Sequence, residues 1–160
     1  MGTTVTAATM TITITEEITL NGVDQGGTQV QEITSVKEVS KRIVNIGTSE
    51  VQLVVMGAAA SAGSFVESAV KYIRITNLDN TNYVTLVFRC DGNPEFAVKL
   101  DYGQSFIYNG DLAIDSSGGV VDTMSASSSA LGTVSFQDLV DITALANTAA
   151  CDLEVMVAGT

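Results

Sequence analysis

The chain has 160 residues, apolar in 46% and charged in only 16%, with 7 Lys and Arg against 18 Asp and Glu for a net charge of −11. A chain of this length buries about two-thirds of the surface that its unfolded form exposes, so one domain can hold a core without disulfide or metal. Such an acidic balance repels phosphate backbones and anionic lipid, so neither nucleic acid nor a membrane surface is expected as a partner, and the lack of histidine removes imidazole triads and histidine-ligated zinc or copper.

Residues 1–8 read as an N-terminal arm and residues 9–160 as a single β-sandwich domain. MGTTVTAATM has neither a basic region nor an apolar core, so no secretory leader is expected, and no stretch approaches the roughly 18 apolar residues of a membrane span. Gly2 and Thr6 match an acylation pattern, which we read as strand-like sequence because no polybasic partner follows.

From residue 9 to 20 apolar side chains alternate at Met10, Ile12, Ile14, Ile18 and Leu20, interrupted at Glu16, and the β-branched Thr and Ile favour a strand. Asn21-Gly22 makes a turn, and 23–29 is a glycine-containing connector. Residues 28–46 read as strand with a bulge, Lys41 and Arg42 exposed and Ile43, Val44 and Ile46 entering the core. Residues 51–56 form a short apolar strand buried on both faces, and 57–69 a small-residue loop with room for one brief helical turn.

The most regular stretch is 70–108, four alternating strands (70–76, 83–90, 95–100, 104–108) separated by Asn, Asp, Gly and Pro, which predicts an antiparallel meander. Val84, Leu86, Phe88, Phe96, Val98 and Leu100 share its inner side, with Arg89 and Lys99 opposite, within reach of turn carboxylates. A Ser- and Gly-rich loop is expected over 111–132, with a short strand at Val120 and Val121, before strands at 133–136, 139–144 and 150–157. About nine or ten short strands without helical periodicity predict an all-β, antiparallel β-sandwich, jelly-roll-like in arrangement; an immunoglobulin-like topology lacks its Trp.

Catalytic and ligand signals are weak. Glu16 and Glu17 are adjacent on a strand and point to opposite faces, the wrong geometry for paired acid and base work. Asp111, Asp115 and Asp122 lack the dense spacing of a calcium loop, and 77–82 (NLDNTN) reads as turn chemistry. Cys90 and Cys151 fall in phase with apolar neighbours and read as buried hydrophobes. No enzyme, cofactor or metal is expected.

YIRITNLDNTNYVTL followed by FAVKLDYGQSFIYNGD resembles a group of small virion structural proteins of tailed bacteriophages, especially phages of marine bacteria, with further likeness in ITEEITLNG, EVSKRIVNIGTSE and ACDLEVMVAG. The resemblance covers most of the chain and rests on strands and turns without catalytic letters. It implies a β-rich particle component present in many copies: a decoration, cement or turret protein, made in the host cytoplasm and placed on the exterior of the head. Its partners would be itself, as a homo-oligomer, and other virion proteins such as the major capsid protein. The alternative is a tail or fibre component binding host surface glycan through Tyr102, Tyr108 and the loop from 111 to 132. All seven cations lie between positions 37 and 99, while the final 61 residues carry eight carboxylates, a division that can guide subunit packing. The stretch 70–108 holds all four tyrosines and four of the seven cations, so Tyr72, Arg74, Arg89, Lys99, Tyr102 and Tyr108 are the candidate interface residues.

Overall fold

The computed structural model describes residues 4–91, 95–109 and 138–160. Among them there are thirteen strands and no helix, so the protein is all-β, as its alternation predicts. In chain order these are β1 (Ala8–Glu16), β2 (Thr19–Leu20), β3 (Val23–Asp24), β4 (Gly27–Val36), β5 (Glu38–Ile46), β6 (Val51–Gly57) and β7 (Phe65–Val66), then β8 (Val70–Asn77), β9 (Val84–Cys90), β10 (Glu95–Leu100), β11 (Ser105–Asn109), β12 (Leu139–Ala146) and β13 (Cys151–Gly159). The expected loop over 111–132, with its three aspartates, and the expected strand at 133–136 lie outside the described residues. The chain divides into two compact units, Met1–Glu38 with Thr160, and Val39–Gly159.

The first unit is a β-ribbon. β1 pairs with β4 in antiparallel register from Ala8↔Val36 to Glu16↔Gly27, and the ribbon continues through β2 and β3 with Leu20 opposite Val23. Its tip is the Asn21-Gly22 turn that the sequence marks: φ is 51° at Asn21 and 78° at Gly22, the left-handed pair of a type I′ hairpin turn whose twist matches its strands. Between the two pairs of strands the backbone closes on itself. Gln25 N–H donates to the Ile18 carbonyl at 2.9 Å, and Gly26 N–H to Asp24 Oδ1 at 2.8 Å. A side chain at Gly26 would place its Cβ 2.2 Å from the Glu16 carbonyl oxygen, so only glycine fits. The expected bulge is present at the far end, where register shifts between Ala8 and Met10 and Ser35 takes a φ of 63°.

The second unit is a sandwich. One sheet has the order β10-β9-β12-β6-β7 and the other β11-β8-β13-β5, antiparallel in the described pairings except for the short parallel contact of β6 with β7. Because strand side chains alternate between faces, each sheet turns one apolar face inward. Ile46, Ile73, Ile75, Leu153, Val155 and Val157 of the four-stranded sheet share one cluster with Leu53, Leu86, Phe88, Ile142 and Ala144 of the other. Full burial of a side chain of Leu, Ile or Val size contributes about 1.5–3 kcal/mol, so this layer supplies the main driving force for folding. Phe88 stacks on Phe96 with ring centroids 4.6 Å apart and reaches Phe106 of the opposite sheet at 4.8 Å.

Three expectations need correction. The stretch 70–108 forms four strands but not a meander. Only β9 and β10 pair with each other, while β8 and β11 pair in the opposite sheet, because 78–83 and 101–104 carry the chain across the sandwich rather than back along one sheet. Ile43 is exposed, since in β5 the inward positions are Val44 and Ile46 and the odd-numbered residues Ile43 and Asn45 must point out. Residues 57–69 contain no helical turn; Phe65 and Val66 instead pair with the end of β6. Cys90 and Cys151 are free and buried as expected, in strands of different sheets.

Candidate interaction surfaces

The outer face of the four-stranded sheet carries a row of polar side chains. Glu154 on β13 lies between Lys41 of β5, 3.0 Å away, and Arg74 of β8, 2.5 Å away. Arg74 donates to Thr76 Oγ1 at 2.9 Å, and Thr76 is joined to Ser105 of β11 at 2.8 Å, so the row crosses all four strands. Lys41 first and Arg74 second hold the Glu154 carboxyl below its ordinary range by hydrogen bonding.

On the outer face of the five-stranded sheet Arg89 sits among three carboxylates. Its guanidinium meets Glu50 at 2.5 Å, Glu95 at 3.4 Å and Asp141 at 3.6 Å, and donates to Thr143 Oγ1 at 2.9 Å. Thr143 in turn donates to Glu50, and this hydrogen bond, followed by the one from Arg89, lowers the Glu50 pKa. Asp141 Oδ2 accepts from Gln52 at 2.9 Å, while its buried Oδ1 accepts no hydrogen bond among the described residues and lies 3.6 Å from the Arg89 guanidinium. Lys99 bonds Asp101 in the adjoining turn at 2.7 Å and lies 4.6 Å from the ring centre of Tyr83.

The candidate interface residues are thus distributed over several places. Arg74, Arg89 and Lys99 each have carboxylate partners within the chain, at the distances given. Tyr72 is buried, Tyr108 packs against the core cluster, and Tyr102 is exposed in the turn before β11.

A different surface stands out on the ribbon. Ile18, Leu20 and Val23 at its tip are 55%, 60% and 57% exposed, flanked by the exposed carboxylates Glu16, Glu17 and Asp24. Sequence reasoning missed it because these apolar residues alternate in the same way as those of a core strand. The available signal was charge, since residues 4–36 contain four carboxylates (Glu16, Glu17, Asp24, Glu32) and no cation. A cleft of about 570 Å³ lies at the ribbon's bend, lined by Thr15, Glu16, Asp24, Gly26 and Thr28 among others. Among the described residues no three His, Cys, Asp or Glu side chains are grouped to hold a metal ion. What the arrangement offers chemically is an apolar tip with an acidic rim.

No protein-family model matches this chain, and no curated protein is significantly similar to it.

Proposed function

We propose that the protein is a non-enzymatic structural component of a tailed-phage particle, a decoration, cement or turret protein of the head exterior that acts by associating with itself and with the shell. The single observation that carries this reading is the ribbon tip, where the large apolar side chains of Ile18, Leu20 and Val23 stand more than half exposed. Exposed apolar surface of that kind is retained where another molecule covers it.

The strand order lends support. Numbering the eight principal sandwich strands from β5 to β13, with β7 left out, gives 1-8-3-6 in one sheet and 2-7-4-5 in the other. The adjacent pairs 1:8, 2:7, 3:6 and 4:5 are those of one long antiparallel ribbon rolled into two sheets, which we read as a jelly roll. Jelly rolls serve in viral shells and also in lectins, so the fold alone favours no single role. The glycan-binding alternative has less support, because of its two tyrosines only Tyr102 is exposed.

The test is light scattering after size exclusion, together with binding to DNA-emptied heads of the phage that carries the gene. Oligomers, or saturable binding to the heads, are expected. A monodisperse monomer that leaves the heads bare overturns the proposal.

A further inference from the structure

The ribbon's exposed tip has a match in the same sequence. Among the described residues β5 is an edge strand, with β13 as its neighbour in the sheet. It presents Val39 and Ile43, 59% and 64% exposed, with Lys41 between them on the same face. Along it lie Lys37, Lys41 and Arg42, three of the chain's seven cations, with Glu38 in the same segment and Glu154 of β13 paired to Lys41 at 3.0 Å. Lys41, Arg74, Arg89 and Lys99 each have a carboxylate of their own chain, whereas Lys37 and Arg42 form no ion pair among the described residues, Arg42 donating to the Leu53 carbonyl.

We propose that the acidic ribbon of one copy docks along the β5 edge of a second copy. Glu16, Glu17 and Asp24 would face Lys37 and Lys41, the latter shared with Glu154 of its own chain, and Ile18, Leu20 and Val23 would cover Val39 and Ile43. The proposal rests on the self-association part of the function above and names the surfaces that carry it. Charge selects the occupant. Copies of a chain with a net charge of −11 repel one another unless an interface uses its few cations, and those left without a carboxylate partner border this edge. Open strand edges also accept further strands through their free backbone groups. Because ribbon and edge are different surfaces, the contact is heterologous, and repetition of it builds a ring or a filament according to the rotation it imposes.

The test uses two full-length variants, E16K/E17K on the ribbon and K37E/K41E at the edge, read by light scattering at matched concentration. We expect oligomers from the wild type and monomers from each variant alone. An equimolar mixture is expected to regain oligomers, because every contact between unlike copies then pairs opposite charges. Recovery in the mixture also shows that both variants are folded. A wild-type oligomer that survives in both variants, or a mixture that stays monomeric, overturns the docking and leaves self-association standing. A wild type that is monomeric at every concentration removes both, and binding to emptied heads then decides whether shell attachment remains.

Discussion

The buried side-chain amide of Asn77 donates to the carbonyl of Leu100 across 3.2 Å, and so ties the end of β8 in one sheet to the end of β10 in the other. The same nitrogen donates to the Asn82 carbonyl at 2.9 Å, and its oxygen accepts from Asp79 N–H at 3.0 Å. Asp79 Oδ1 then accepts from the backbone of Thr81 at 2.7 Å and of Asn82 at 2.6 Å. The polar stretch 77–82 is therefore turn chemistry, as its composition predicts, used to arch the chain from one sheet to the other.

Removing that amide strands two carbonyls and one N–H. Asn77→Ala should lower stability by about 2–4 kcal/mol, because a buried polar group left without its partner costs about 1–3 kcal/mol. Urea denaturation followed by tyrosine fluorescence reads this, and a loss below about 1 kcal/mol would mean that water replaces the amide.

Gly26→Ala should disturb the ribbon and spare the sandwich. The added carbon would meet the Glu16 carbonyl at 2.2 Å, a clash between backbone-fixed atoms that only movement of the chain relieves. Amide exchange should accelerate at Gln25 and Gly26, whose hydrogen bonds hold the bend, while β9 and β12 exchange as in the wild type. Unchanged protection at Gln25 would show that the bend tolerates a side chain.

Acid should weaken the fold through Glu50, Glu154 and Asp79, whose pKa values all lie below their ordinary 4.5, 4.5 and 3.8. The causes are hydrogen bonds, first from Thr143 for Glu50, from Lys41 for Glu154, and from the backbone of Asn82 for Asp79. A carboxyl with a depressed folded pKa binds fewer protons folded than unfolded. Its stabilisation is complete above the ordinary value and is lost as pH falls through the folded one. Urea midpoints should hold steady down to about pH 5 and drop below it. In Glu50→Gln/Glu154→Gln the drop should be shallower; an equal slope would place the acid sensitivity elsewhere.

The two thiols should be inert while the protein is folded. Burial first, and then nearby carboxylates, push both pKa values up: Asp138 acts on Cys90, and Asp79 and Asp152 on Cys151. Less thiolate at an inaccessible site means slow reaction with thiol reagents. Labelling of both cysteines should therefore track unfolding in urea, and a fast phase in buffer would reveal local opening of β9 or β13.

Local order was legible in the residues themselves. Alternation marks β8 to β11, places Phe88, Phe96 and Leu100 inside and turns Arg89 and Lys99 out; Asn21-Gly22 specifies the hairpin turn, and the strands are expected to build a sandwich. Those features depend on periods of two and on single-residue backbone preferences, which neighbours along the chain fix.

Pairing was decided only in three dimensions. The alternation of β8 and β9 says nothing about whether they share a sheet, and they do not, because the Asn77 arch delivers them to opposite layers. Likewise Ile18 and Leu20 have the pattern of core residues, yet among the described residues β2 pairs only with β3, and both side chains stay exposed. An apolar side chain is buried only where another surface arrives to cover it, and that arrival is set by long-range topology rather than by the residue's own preference for water or oil.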